Sequence, residues 1–276
     1  MQIITYKHIG AQKPLVKLLT GKEFGISYAA AMRLLRNKDI RINGARVKSA
    51  DTLINDGDEV SAYYAPPVRN IETVFEDDNI IVADKPAGIE TEGAGDTLET
   101  ALKARYGEAL PVHRLDRNTR GLVVFARNQG AYAAMTAAFK DGLVEKGYYA
   151  RVIGSVKQSE AELTAYLSKD SQKSRVYISD TPLAGAVKIR TGYTVLERGG
   201  GTTLLDVRLH TGKTHQIRAH LAHIGHPIAG DGKYGTNAQN AGLPYKTQQL
   251  TAYSLKFAFS AQSPLAYLNG KAFEIN

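Results

Sequence analysis

Apolar and polar positions follow two different rhythms along this chain. Tyr28, Met32 and Leu35 recur at helical spacing behind Ser27, a residue suited to cap a helix. A helix is therefore predicted from Ser27 to about Asn37, with those three side chains as its buried stripe. The segment Ile40-Arg41-Ile42-Asn43-Gly44-Ala45-Arg46-Val47-Lys48 then switches to a period of two around Asn-Gly, the strongest short hairpin signal. Ile40, Ile42 and Val47 share one face, which leaves Arg41, Arg46 and Lys48 to solvent. Asn55-Asp56-Gly57-Asp58 reads as a turn before a strand over Glu59 to Tyr63.

Tyr63-Tyr64-Ala65-Pro66-Pro67 is a seam, because a double proline continues neither a helix nor a central strand. Beyond it strands dominate. Buried strands are predicted over Asn79 to Asp84 and Lys146 to Gly154, and a hairpin joins Tyr193–Glu197 to Thr203–His210 through Gly199-Gly200-Gly201. Helices are predicted over Thr97 to Tyr106, Ala131 to Phe139 and Thr214 to Ile224, the last stopped by Gly225. Lys85, before Pro86, reads as a turn residue without chemistry. Residues 155–185 are polar and irregular and receive no element.

Composition changes this picture only modestly. The 276 residues carry 35 Lys plus Arg against 27 Asp plus Glu, a net charge of +8. A basic balance favours a polyanionic partner such as nucleic acid. The chain contains no cysteine, which excludes disulfides, thiol catalysis and cysteine metal sites. With no signal peptide and no apolar run approaching the roughly 20 residues that span a bilayer, a cytoplasmic protein without membrane attachment is expected.

Candidate chemistry concentrates in Val112-His113-Arg114-Leu115-Asp116-Arg117-Asn118-Thr119-Arg120-Gly121-Leu122, which runs into the apolar stretch Val123 to Ala126. A carboxylate on a loop anchored by a buried strand is held still and yet exposed. The same residues also make ordinary turn composition, and a short motif alone has false positives. Three further segments bear on it: Asp84-Lys85-Pro86-Ala87-Gly88, Lys146 to Gly154, and Leu209-His210-Thr211-Gly212-Lys213-Thr214-His215-Gln216-Ile217-Arg218 followed by Pro227 to Gly235. In this order they resemble the motifs of the RluA-type pseudouridine synthases, over most of residues 75–235. Two positions depart from that pattern: Arg120 stands where a small residue is usual, and Lys213 where Arg is usual.

The resemblance implies an isomerase that converts uridine in RNA to pseudouridine. It implies Asp116 as the catalytic carboxylate, Tyr148 stacking on the target uracil, and Arg218 pairing with Asp116. Arg114 would enter the RNA where the base leaves, Leu209 would line the pocket, and His113 joins them as a substrate-binding residue. The base has to stay captured while detached from its ribose, which an aromatic face achieves at about 1–3 kcal/mol per base. One carboxylate serves either as nucleophile or as base. Residues before the seam resemble the small RNA-binding module first named in the fourth protein of the small ribosomal subunit (S4-like). The cations Arg33, Arg36, Lys38, Arg41, Arg46 and Lys48 would meet phosphates there.

The fold expected is α+β: an S4-like module over residues 1–65 and a catalytic domain over 66–276 with a mixed, mainly antiparallel sheet, the topology following from the resemblance. No cofactor and no metal are expected, and the protein is expected to be a monomer whose partner is RNA. Large-subunit ribosomal RNA stands first as substrate and transfer RNA second; a non-catalytic RNA-binding protein is the alternative from another class. Other chemistries fail on spacing. Gly212-Lys213-Thr214 lacks the earlier P-loop glycine because position 207 is Val207, and Gly93-Ala94-Gly95 meets Leu98 where a dinucleotide fingerprint needs glycine. His215, His220, His223 and His226 lack the HExxH pattern.

Overall fold

A computed structural model describes residues 2–64, 71–93 and 95–276. The chain forms two compact units: residues 1–70 with 90–107, and residues 71–89 with 108–276. The seam at Ala65-Pro66-Pro67 lies outside the described residues. A single cut there would not assign residues 90–107 to the first unit. Within that unit a Cβ on Gly95 would stand 2.5 Å from the backbone nitrogen of Ser27, so this loop lies against the start of the Tyr28–Asn37 helix.

The first unit carries a four-stranded antiparallel sheet in the order Gln2–Lys7, Glu59–Tyr64, Ile40–Ile42, Ala45–Val47. Asn43 (φ 49°) and Gly44 (φ 82°) make the hairpin turn, the left-handed pair that Asn-Gly supplies at least cost. The helix Tyr28–Asn37 is capped by the Ser27 hydroxyl, which accepts from the Ala30 backbone N–H. Its buried stripe differs from the one expected. Ala30, Ala31, Leu34 and Leu35 face the core, whereas Tyr28 is 64% exposed and Met32 is half-buried. Small alanines let the helix approach closely, and that turned the stripe away from the larger Tyr28. The helix Leu98–Tyr106 begins with a capping box between Thr97 and Thr100.

Among the described residues the second unit holds an eleven-stranded sheet. Nine strands run in the order Arg175–Ser179, Glu160–Asp170, Val187–Gly199, Thr202–Leu209, Val144–Ile153, Leu250–Phe257, Arg120–Ala126, Ile80–Lys85, Glu72–Glu76; the other two, Ala272–Glu274 and Leu110–Pro111, pair with Leu250–Phe257 and Arg120–Ala126. Its named strands pair antiparallel except Arg120–Ala126 with Leu250–Phe257, which run parallel at Arg120↔Thr251 and Gly121↔Ala252. This is the α+β fold with a mixed, mainly antiparallel sheet. The close parallel approach requires Gly121: a Cβ there would lie 2.2 Å from the Ala252 carbonyl oxygen, and φ is +122°. Ile80, Val82, Leu122, Val124, Met135 and Phe257 form one core beneath these central strands. Full burial contributes roughly 1.5–3 kcal/mol for each large apolar side chain. That rigid floor carries the loop of residues 112–119. Residues 155–185, unassigned from sequence, supply the strands Glu160–Asp170 and Arg175–Ser179.

Candidate active site

Asp116 sits on the loop between the short strand Leu110–Pro111 and Arg120–Ala126. Several contacts hold this loop. Thr119 N–H donates to the Asp116 carbonyl at 3.0 Å, closing the turn. Buried Gln248 donates to the Thr119 hydroxyl at 2.6 Å. Lys85, read from sequence as a turn residue without chemistry, is fully buried and is the largest such side chain among the described residues. Its ammonium donates to the carbonyls of Pro86 (3.1 Å), Ile89 (2.8 Å) and Arg117 (3.0 Å). The Gly88 N–H also donates to the Arg117 carbonyl, at 2.8 Å. The Asp84–Gly88 segment thus clasps the chain one residue beyond Asp116.

Across the cleft, the helix Gln216–His223 delivers Arg218. Its Nη1 donates to Asp116 Oδ2 at 2.7 Å. The rest of the guanidinium is taken by Asp231, with Nε to Oδ2 at 2.7 Å and Nη2 to Oδ1 at 3.0 Å. This bidentate grip leaves Nη1 as the edge presented to Asp116. Burial alone would raise the Asp231 pKa, but the Arg218 hydrogen bonds and charge outweigh it and hold the carboxyl below its usual value. Conversely, burial opposes the Arg218 charge, and the two carboxylates more than restore it. Asp231 follows Gly230, where a Cβ would come 2.1 Å from the Thr247 carbonyl oxygen, so glycine is required at that approach.

His215 completes the arrangement from an unusual backbone position. It is a non-glycine residue at φ 54°, immediately before the helix. Its Nδ1 lies 2.9 Å from Tyr234 Oη, and its Nε2 lies 3.8 Å from Asp116 Oδ2. Tyr234 Oη also accepts the Val176 N–H at 3.1 Å, which fixes the phenol against the neighbouring strand. Burial lowers the His215 pKa and keeps the ring neutral. Gln216 anchors the preceding turn: it accepts from Thr211 Oγ1 and Lys213 N–H, and donates to Arg190 O and Thr191 Oγ1.

Tyr148 lies on Val144–Ile153, opposite Val207 and Ala252, and is 7% exposed. Burial, with the Asp116 charge nearby, raises its phenol pKa, so it stays protonated. Leu209, half-buried, ends the neighbouring strand Thr202–Leu209, and Arg114 is exposed two residues before Asp116. His113 points elsewhere. Its Nε2 accepts the Val124 N–H at 3.0 Å and its ring stacks on Phe139 at 4.3 Å. Burial, aided by Lys146, pushes it down to about 3, a neutral ring that fastens the loop to its strand. Arg120 is committed too: Nη2 lies 2.8 Å from Asp84 Oδ2. The long cation at this unusual position is therefore spent on a neighbouring strand. Lys213 is exposed.

The four clustered histidines go to four different partners: Tyr234, Thr191, Asp180 and the Ile153 carbonyl. Among the described residues no group of three or more His, Asp or Glu could hold a metal. From sequence Asp231 receives no individual role, Lys85 reads only as a turn residue and His215 only as a rejected metal ligand, although all three lie in segments singled out there.

Residues 79–223 match the family model described as RNA pseudouridylate synthase. The chain belongs to this family. RNA pseudouridylate synthases are isomerases acting on RNA, so the protein is an enzyme of that class. It is 30% identical over 236 residues to ribosomal large subunit pseudouridine synthase C of Vibrio cholerae, covering 76% of this chain and 73% of that protein. It is 28% identical over 285 residues to a protein of Aquifex aeolicus named uncharacterized RNA pseudouridine synthase, covering 93% and 89%. Human RNA pseudouridylate synthase domain containing 1 shares the synthase fold, with a TM-score of 0.64 at 24% identity over 77% of this chain and 84% of that one.

Proposed function

We propose that this synthase isomerises specific uridines of large-subunit ribosomal RNA, with Asp116 as the catalytic carboxylate. The observation that carries this reading is the 2.7 Å contact from Arg218 Nη1 to Asp116, set by the buried Asp231. A carboxyl aimed in this way either attacks the anomeric carbon or removes a sugar proton; both routes use the same oxygen pair. Tyr148 offers its ring to the everted uracil, while Arg114 and Leu209 take the RNA side of the cleft. Eversion costs a few kcal/mol, and stacking on an aromatic face offsets it. The His215 ring, its Nε2 3.8 Å from Asp116 Oδ2, flanks the carboxylate.

The first unit serves as an S4-like RNA grip. Arg33, Arg36, Lys38, Arg46 and Lys48 are exposed, and Arg41 lies over the Tyr63 ring at 5.0 Å. Arg41 and Arg46 are direct cross-strand partners. Like charges placed opposite one another repel, a cost that a phosphate between them removes. The enzyme acts as a cytoplasmic monomer without a cofactor. Sequencing pseudouridines in RNA from cells with and without the protein tests the substrate. Sites missing from large-subunit ribosomal RNA support the assignment; losses confined to transfer RNA move it there, and no losses overturn it.

A further inference from the structure

Lys146 stands apart from the other inward-facing cations of the larger unit. Arg218, Lys85 and Arg120 each meet oxygens of the protein. Lys146 is half-buried, yet among the described residues its ammonium makes no hydrogen bond and no ion pair. Its nearest charge-accepting neighbour is the face of Phe139, 6.0 Å away, at the outer limit of a cation–π contact. Burial lowers its pKa, and no neighbouring acid counters the effect. An ammonium drawn partly out of water without a counter-charge is unfavourable, and the ordinary remedy is an anion.

Its position says which anion. Lys146 and Tyr148 are two residues apart on one strand, so they share a face about 7 Å from each other. That face is otherwise lined by buried Val144, Ala150 and Val152. Gly147 and Tyr148 stay in register with Arg208 and Val207 on one side; on the other the register shifts between them, the extra residue being Tyr253 of the partner strand, so the alternation of Val144–Ile153 itself is kept. Toward solvent, the ammonium lies over Gly212. A Cβ there would meet Lys146 Nζ at 3.5 Å, and Gly212 itself is exposed. The same turn leads on to His215, beside Asp116. The groups facing Lys146 are neutral: the Phe139 ring and the His113 imidazole stacked on it.

We propose that Lys146 is a phosphate-binding residue, its ammonium taking a backbone phosphate of the nucleotide whose base stacks on Tyr148. This rests on the assignment of the cleft above. It adds an electrostatic anchor at the reacting nucleotide, separate from the exposed cations of the first unit.

The test uses the full chain and total RNA labelled with tritium at uridine C5, taken from cells lacking the protein. Lys146→Met keeps the apolar stem and removes the charge. It should raise the half-saturating RNA concentration about tenfold, as expected when a charged hydrogen bond is removed. It should also lower the slope of log affinity against log salt by about 0.7, the value for one neutralised phosphate on single-stranded RNA. Lys146→Arg should restore both, and a purely structural role would leave the slope alone. Unchanged half-saturation and slope in a folded Lys146→Met protein that still releases tritium would overturn the proposal while leaving the cleft assignment intact. No tritium release by the wild-type protein would overturn both.

Discussion

The two units handle positive charge in opposite ways. In the larger unit three cations near Asp116 are fixed by protein oxygens, Arg218 by two carboxylates, Lys85 by three carbonyls and Arg120 by Asp84, with Lys146 the exception. In the first unit Arg33, Arg36, Lys38, Arg46 and Lys48 extend into solvent and make no ion pair among the described residues. Fixed charge aims a reacting group and costs no reorganisation when the substrate arrives. Free charge attracts a polyanion without demanding one geometry. The contrast teaches where chemistry and where affinity reside, and it can be broken at either end.

The largest effect is expected at Arg218. Arg218→Met leaves the Asp231 side chain, which is 0% exposed, as an uncompensated buried charge. A loss of about 3–5 kcal/mol in denaturant-induced unfolding is expected, together with loss of tritium release. Asp231→Asn in the same background should recover much of the stability and none of the activity, because Asp116 still lacks its partner. Recovery of activity would mean that Arg218 does not aim the acid.

The opposite end is probed by Arg41→Gln with Arg46→Gln. Removing this cross-strand pair should reduce the salt slope of RNA binding by about 0.7–0.9 for each phosphate that is no longer neutralised, with turnover at saturating RNA retained. A turnover defect at saturation would place the first unit in the chemistry.

A third effect comes from pH. Burial, with the Lys146 charge, pushes His113 down to about 3, and burial with neighbouring His223 takes His220 to about 4, against an ordinary value of 6.5. Both rings gain a proton more readily when unfolded. Their contribution is thus complete above pH 6.5 and is lost as pH falls toward their folded values. Stability should decline by up to about 1.4 kcal/mol per pH unit for each residue across that window. Unfolding curves at successive pH values check this, and His220→Asn should flatten the decline.

The smallest effect is at Arg120. Arg120→Ser restores the residue usual in the family and strands Asp84, whose Oδ1 is already buried without a partner. A cost of about 1 kcal/mol is expected, since the Arg120 side chain is 49% exposed, with little change in turnover. A large rise in activity would show that this cation obstructs RNA.

Local features were legible from sequence where the chain's own chemistry dictates them. Asn43-Gly44 fixes its turn because both residues adopt left-handed backbone, and Ser27 caps its helix with its own hydroxyl. Pairing across distance was not legible in this way. Asp116 and Arg218 are 102 residues apart, and only the motif resemblance brought them together. Asp231 and Lys85 escaped because a charged residue reads as surface until tertiary structure supplies its partners. Tyr28 misled because helical spacing does not say which of two adjacent faces is buried when alanines crowd one of them. The strand Glu160–Asp170 does alternate, but small Ala161 and Ala165 at its inward positions muted the signal.

On the proposed reading Asp116, held by Arg218, performs the chemistry while other residues carry the affinity for RNA. Tritium release from C5-labelled RNA by Asp116→Asn, measured beside RNA affinity, tests it most directly. The account predicts a fall in release of at least about 10²–10⁴-fold with affinity retained. Release at the wild-type rate, from a variant that binds RNA as the wild type does, would contradict it.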